Sequence, residues 1–275
     1  MTNFTQQWSQ NYGNLVDRNI GLLTEEQQER LRTSKVAVFG MGGIGGTAFE
    51  VLVRCGIGTF SIVDKDTFEP TNMNRQIFAY PHTMGRMKID VAAEWAKQIN
   101  PDIRVGTFER VGEDNIAEII RDADVIVQGI DQLKPCIIAS RKAREMGIPL
   151  VEGWAIPYGN VRTFTAQTPT LEEAYGLPTI GRDVSAITDE EFTKLGIELL
   201  LGLGKIEGVA DFYNEGARKR IAAGRLTSFA PMVWLTSVLM AMETVKVLLN
   251  WGEIAFGPNF TLYDPFKHRI PRGTP

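Results

Sequence analysis

Residues 36–39, Val36-Ala-Val-Phe39, followed by Gly40-Met-Gly42-Gly43-Ile-Gly45, form the stretch whose reading decides the fold. Four apolar residues in a row make a short strand buried on both faces. After the glycines, Ala48, Val51, Leu52 and Cys55 recur at helical spacing, so the turn runs directly into a helix. A strand, a glycine turn and a helix N-terminus together make an anion site. Residues without side chains let the backbone approach a phosphate, and the first helical amides and the helix dipole point at it. A second strand, Thr59–Val63, ends on Asp64, about twenty residues past the turn, where a ribose hydroxyl needs an acceptor. Spaced glycines alone carry little weight, because NAD-dependent oxidoreductases share them together with the acid.

The segment after the second strand is more specific. It reads Asp64-Lys-Asp66, then Thr71-Asn72-Met-Asn74-Arg75-Gln76, then Gly85, and then Lys88, twelve residues beyond Gln76. On these residues the chain resembles the ThiF/HesA/MoeB-type adenylyltransferases, relatives of the ubiquitin-activating enzymes. The resemblance implies a Rossmann-like, doubly wound α/β fold: a mostly parallel sheet with a C-terminal antiparallel extension and a helical crossover insertion. It implies activation of a carboxylate by ATP and Mg2+, giving an acyl-adenylate and pyrophosphate. Gly40, Gly42, Gly43, Gly45, Asp64, Asp66, Asn72, Asn74 and Gln76 are then the nucleotide-binding set. Arg75, Lys88, Arg18 and Asp131 are the catalytic set, with Asp131 holding magnesium. Arg18 is expected to reach as a finger into the neighbouring subunit's ATP site, which implies a homodimer. The likeness covers most of the chain, so one adenylyltransferase domain is expected over residues 1–275. Residues 1–153 form its nucleotide-binding half, and 154–275 a substrate-facing half with a divergent insertion at 169–225.

Composition bounds the reading. The chain has 275 residues, 44% hydrophobic and 23% charged, which are globular values. A net charge of −4 gives no general pull toward nucleic acid or anionic lipid. The N-terminus shows no charged-then-apolar leader pattern, and Cys55 and Cys136 both stand in apolar surroundings, so a cytoplasmic protein with two buried free thiols is expected. Residues 229–249 are apolar and long enough to span a bilayer. Glu243 and Lys246 inside that run favour a core helix over a membrane span.

In chain order, residues 1–13 are polar and expected to be frayed or to lie on a partner, and Thr24-Glu-Glu-Gln27 is a capping box opening a helix to about Arg32. Helices are expected over 85–99, 115–121 and 134–146, and strands over 103–108, 124–131, 148–153, 161–166 (antiparallel) and 260–264. Lys88 near a helix start works against the dipole, which makes sense beside a phosphate. Asp131, closing the 124–131 strand, reads equally as a helix N-cap on the residues alone, and the family resemblance tips it toward magnesium. Many relatives carry two Cys-x-x-Cys zinc pairs. Here the corresponding stretch is Glu172-Glu-Ala-Tyr-Gly-Leu-Pro178 and the tail has no cysteine; His82 and His268 cannot complete four ligands, so no structural zinc is expected. The same lack of cysteine after Cys136 argues against a thioester step.

The carboxylate expected first is the C-terminus of a ubiquitin-like carrier protein or a small peptide. A small-molecule acid ranks next, and the threonylcarbamoyl group on tRNA third, since Arg218, Lys219, Arg220 and Arg225 are the only local basic cluster. An NAD-dependent oxidoreductase leaves Asn74-Arg75-Gln76 and Lys88 unexplained. An inactive scaffold leaves Arg75, Lys88 and Asp131 without a reason to coexist.

Overall fold

The computed structural model describes residues 7–223, 225 and 227–268. The two strands read from the sequence, β1 (Lys35–Phe39) and β2 (Thr59–Val63), pair in parallel. With β3 (Arg104–Phe108), β4 (Val125–Gln128), β5 (Leu150–Glu152), β6 (Gly159–Phe164) and β7 (Thr261–Tyr263) they make one seven-stranded sheet in the order β3-β2-β1-β4-β5-β6-β7. Pairing is parallel from β3 through β5 and antiparallel at β5/β6 and β6/β7, the mixed sheet expected.

Side chains of the central strands alternate across this sheet and are buried on both faces. Val36, Val38, Phe60, Ile62, Val125 and Val127 enter the core on one face, under α3 (Gly43–Arg54), α4 (Lys88–Ile99) and α10 (Ala230–Leu249). Ala37, Phe39, Val63 and Ile126 enter the opposite core, under α5 (Ile116–Ile119), α6 (Leu133–Glu145), α7 (Leu171–Tyr175) and α8 (Asp189–Leu203). Helices on both faces explain why the central strands are unbroken apolar runs.

Several boundaries differ from the expectation. Residues 10–16 are not frayed: Ser9 caps α1 (Gln10–Val16), and Tyr12 and Val16 are buried, because the helix lays its one apolar edge on the body. Residues 1–6 lie outside the described part. The strand expected over 124–131 ends at Gln128, so Asp131 sits in the following loop rather than at the strand end. The capping box holds, with Thr24 N–H donating to Gln27 Oε1 at 2.9 Å and Gln27 N–H to Thr24 Oγ1 at 3.1 Å, opening α2 (Glu25–Thr33).

Helix α10 is long and apolar enough to cross a bilayer, yet half of it is buried in the fold. Glu243 is buried, accepts from Lys246 Nζ at 2.7 Å and from the Ala255 amide, and so anchors the helix to a loop. Cys136 is buried and Cys55 half-buried, and both are free thiols. In the insertion, Arg141 donates twice to the Glu172 carboxylate at 2.7 Å and to the carbonyls of Thr179 and Arg182. That ion pair fastens residues 172–182 to α6.

The fully buried Arg162 on β6 donates to Glu152 at 2.9 Å and lies over the rings of Phe164, Tyr175 and Phe260. Tyr175 Oη donates to the other Glu152 oxygen at 2.8 Å. Arg162→Met takes away the cation paired with Glu152, and is expected to lower stability by about 3–5 kcal/mol in urea unfolding. Adding Glu152→Gln recovers much of that loss, whereas no recovery would show that the ion pair is not the source.

Candidate active site at the strand switch point

The sheet order reverses between β1 and β4, which opens a crevice at their carboxyl ends. The glycine turn fills that crevice. Gly40 has φ +87°, and a Cβ there would lie 2.7 Å from the Gly129 carbonyl oxygen. A Cβ at Gly45 would lie 1.8 Å from the Gly40 carbonyl oxygen. Gly129, just past β4, is equally tight: a Cβ there would lie 2.8 Å from Gly45 Cα. Sequence reading missed Gly129, which stands alone in an apolar run and gives no motif signal.

Asp64, at the end of β2, accepts from the Met41 amide at 2.7 Å through one oxygen and from the Asp66 amide at 2.9 Å through the other. Burial raises its carboxyl above the ordinary value, and the charge of Lys88 and the two amides oppose that rise. Lys88 is the first residue of α4 and is buried. Its Nζ lies 3.0 Å from Asp66 Oδ2 and 3.9 Å from Asp64 Oδ1. The anionic partner that offsets its unfavourable place at a helix N-terminus is therefore, within the chain, this pair of carboxylates.

The segment after a short 3-10 turn (Pro70–Asn72) brings Arg75 onto the glycines. A Cβ at Gly43 would meet Arg75 Cγ at 3.4 Å and Val233 Cγ1 at 2.8 Å. Arg75 Nη1 donates to the Thr71 carbonyl at 3.0 Å and to Asn74 Oδ1 at 2.8 Å. Half-burial lowers the guanidinium's pKa, and the negative charge of Asp131 partly opposes that fall. Gln76 is buried against Gly42, and its Oε1 has no hydrogen-bond partner in the protein. The amide atom that stands next to Gly42 is Gln76 Nε2, 3.7 Å from where a Cβ on that glycine would lie.

Three expected residues stand differently. Asn72 is buried and its Oδ1 caps the Glu69 amide at 3.0 Å, so this oxygen shapes the local turn instead of orienting charges. Asp131 is exposed and makes no N-cap: the cap of α6 is Gln132, without a side-chain bond. Arg18 is exposed on a 3-10 turn (Asp17–Asn19) and has no ion-pair partner among the described residues. Asn74 Nδ2 donates to the Ser228 carbonyl at 3.0 Å, and Trp234 Nε1 to the Arg75 carbonyl at 2.9 Å. The start of α10 thus closes over the arginine. Ser228, Val233 and Trp234 were invisible as site residues in the sequence, being far along the chain in or beside an apolar run.

The chain belongs to the ThiF family, whose pattern matches residues 16–274. It is 28% identical over 247 residues to the molybdopterin-synthase adenylyltransferase of Haemophilus influenzae, covering 88% of this chain and 86% of that protein. It is 34% identical over 147 residues to the SAMP-activating enzyme E1 of Haloferax volcanii, with 53% of this chain and 52% of that protein covered. Among solved structures, the crystal structure of PaaA matches at TM-score 0.69 and 20% identity, covering 98% of this chain and 76% of that chain. The Escherichia coli tRNA threonylcarbamoyladenosine dehydratase in complex with AMP matches at TM-score 0.62 and 23% identity, covering 91% of this chain and 98% of that one. These two likenesses support the fold.

Lys88→Met removes the cation that opposes the desolvation of Asp64. The Asp64 pKa is expected to rise further above the ordinary carboxylate value, read by carboxyl NMR titration. An acid whose folded pKa is raised favours the folded state below its unfolded pKa and loses that contribution as pH climbs through the folded pKa. Relative to wild type, the variant's stability should therefore fall toward neutral pH. An unchanged titration would show that Lys88 and Asp64 do not interact.

Proposed function

We propose that this protein is an ATP-dependent adenylyltransferase that activates a carboxylate as its acyl-adenylate. The observation that carries the reading is Arg75 packed on Gly43 of the anion-binding turn, together with the buried Lys88 beside Asp64 and Asp66. An oxidoreductase has no use for that pair of cations.

The chemistry follows from charge. A carboxylate oxygen forms a bond to the α-phosphorus, the bond from that phosphorus to the bridging oxygen breaks, and the electron pair leaves with pyrophosphate. The attacking group is already ionised at neutral pH, so no base is required. The barrier lies in bringing an anion against a polyanion, and the site must hold the attacking and leaving oxygens in line. Arg75 and Lys88 supply fixed positive charge, the amides after Gly40 receive phosphate oxygens, and Gln76 Nε2, beside Gly42, donates to the nucleotide. Asp64 takes the ribose, which requires its carboxylate to share the Met41 and Asp66 amides with that contact.

Magnesium would neutralise charge on the triphosphate. Among the described residues no group of three or more His, Cys, Asp or Glu could hold a metal. A single exposed carboxylate, Asp131, fits an ion that arrives on phosphates and keeps its waters. The site is completed by Arg18 of a second copy in a homodimer, working in the cytoplasm.

The substrate ranked first is the C-terminus of a ubiquitin-like carrier protein or peptide, supported by relatives named molybdopterin-synthase adenylyltransferase and sulfur carrier protein adenylyltransferase. A tRNA ranks lower. The basic residues Arg218, Lys219 and Arg220 lie on α9 (Glu215–Ala222), which buries no residue, and Lys219 is paired with Glu215 at 2.7 Å.

Arg75→Ala and Lys88→Ala are each expected to lower carboxylate-dependent ATP–pyrophosphate exchange by about 10²–10³-fold, the scale of one preorganised charge donor. Exchange at the wild-type rate in both variants overturns the assignment.

A further inference from the structure

We infer that Gln28 is a positioning residue that holds Arg18 in the attitude from which it serves the neighbouring subunit's nucleotide site. The inference rests on the proposed action of Arg18 in trans.

Gln28 lies on α2 and is fully buried, an unusual place for an amide unless every polar atom is paired. Here each one is. Nε2 donates to Tyr12 Oη at 2.9 Å and to the Cys55 carbonyl at 3.0 Å, and Oε1 accepts from Asn19 Nδ2 at 3.0 Å. Tyr12 Oη in turn donates to the Gly56 carbonyl at 2.8 Å. Gly56 has φ +86°, and a Cβ there would collide with Gln28 Nε2 at 2.6 Å and Tyr12 Oη at 2.7 Å. One amide therefore ties three segments together: α1 with the 3-10 turn after it, α2, and the loop that ends α3.

Arg18 sits between the anchors. Upstream, Tyr12 and Val16 are buried. Downstream, Asn19 is bonded directly to Gln28. The backbone of Arg18 is thus clamped on both sides while its side chain is left exposed. Among the described residues no carboxylate pairs with the guanidinium, yet a buried hydrogen-bond network fixes its root. Such a network is what a side chain acting across a subunit boundary requires, because a displacement of about an ångström costs a charge contact most of its value. The far end of the clamp is the C-terminal end of α3, whose N-terminus is this protomer's own glycine turn. The donated arginine and the resident anion site are thereby held to one rigid element.

The test separates positioning in trans from plain stability. Gln28→Met keeps the side-chain volume, and Asn19→Ala removes the partner of Oε1 at a half-buried site, so one can stand in if the other fails to fold. Differently tagged Gln28→Met and Arg75→Ala protomers are co-purified as mixed dimers and titrated calorimetrically with α,β-methylene-ATP and magnesium. Each variant homodimer is expected to bind about 10- to 100-fold more weakly than wild type, the scale of a misplaced contact. The mixed dimer is expected to regain one site of wild-type affinity per two protomers, where an intact pocket meets an intact arginine. Wild-type affinity in the Gln28→Met homodimer, or no tight site in the mixed dimer, overturns the inference. The same mixture made with Arg18→Ala is read alongside. Recovery there without recovery for Gln28→Met sinks the Gln28 role alone. Failure of both sinks action in trans, and the Gln28 role with it.

Discussion

Backbone meeting backbone at Gly40, Gly45 and Gly129 is the constraint on which the site depends. Helix α3 can leave the end of β1 and cross in front of β4 only if no side chain stands between them, since a Cβ at Gly45 would sit 1.8 Å from a carbonyl oxygen. The close crossing aims the first amides of α3 into the crevice where the strand order reverses. An amide pointed there is a fixed positive pole in a place that side chains cannot fill. The Met41 amide is held by Asp64, and Gly43 is left bare for Arg75 and Val233 to pack on.

Charge at the site is arranged in two groups around that turn. On one side the buried Lys88 sits between Asp64 and Asp66, and burial alone would push the Asp64 carboxyl further from its ordinary value. On the other, Arg75 is half-buried against Gly43 and donates to the Thr71 carbonyl and Asn74 Oδ1. Lys88 therefore has compensating acids within the chain, whereas Arg75 is held by neutral acceptors. A polyanion entering between the two groups meets charges already placed, without the cost of gathering them.

Closure of the site comes from the far end of the chain. Trp234 and Ser228 bond to Arg75 and Asn74, and the same helix is fastened behind by Glu243, which accepts from the Ala255 amide. A helix with a stripe of exposed Trp234, Val238 and Met242 on one side and the sheet on the other does two jobs, which explains why it is apolar almost all round.

Much of this was open to reading in one dimension. The glycine spacing, the acid after the second strand, the capping box at Thr24 and the run from Asn72 to Lys88 are local chemistry, so their meaning survives without coordinates. Strand and helix positions followed from periodicity, with errors of a few residues, as at Gln128 and Lys88. The acid expected at a strand end proved to be a loop residue, and Asn72 proved to be a turn cap, because roles of that kind depend on where neighbouring segments fall. Residues 1–13 looked polar, yet from Gln10 onward they enter a helix in which Tyr12 and Val16, one helical turn apart, are buried. The local order of residues determined the elements, the turn and the kind of ligand it favours. The tertiary structure alone decided that Gly129 closes the crossing, that α10 roofs Arg75, and that Gln28 joins three distant segments. Those contacts depend on how far apart in space residues remote in the chain are brought, and spacing along the chain carries no such information.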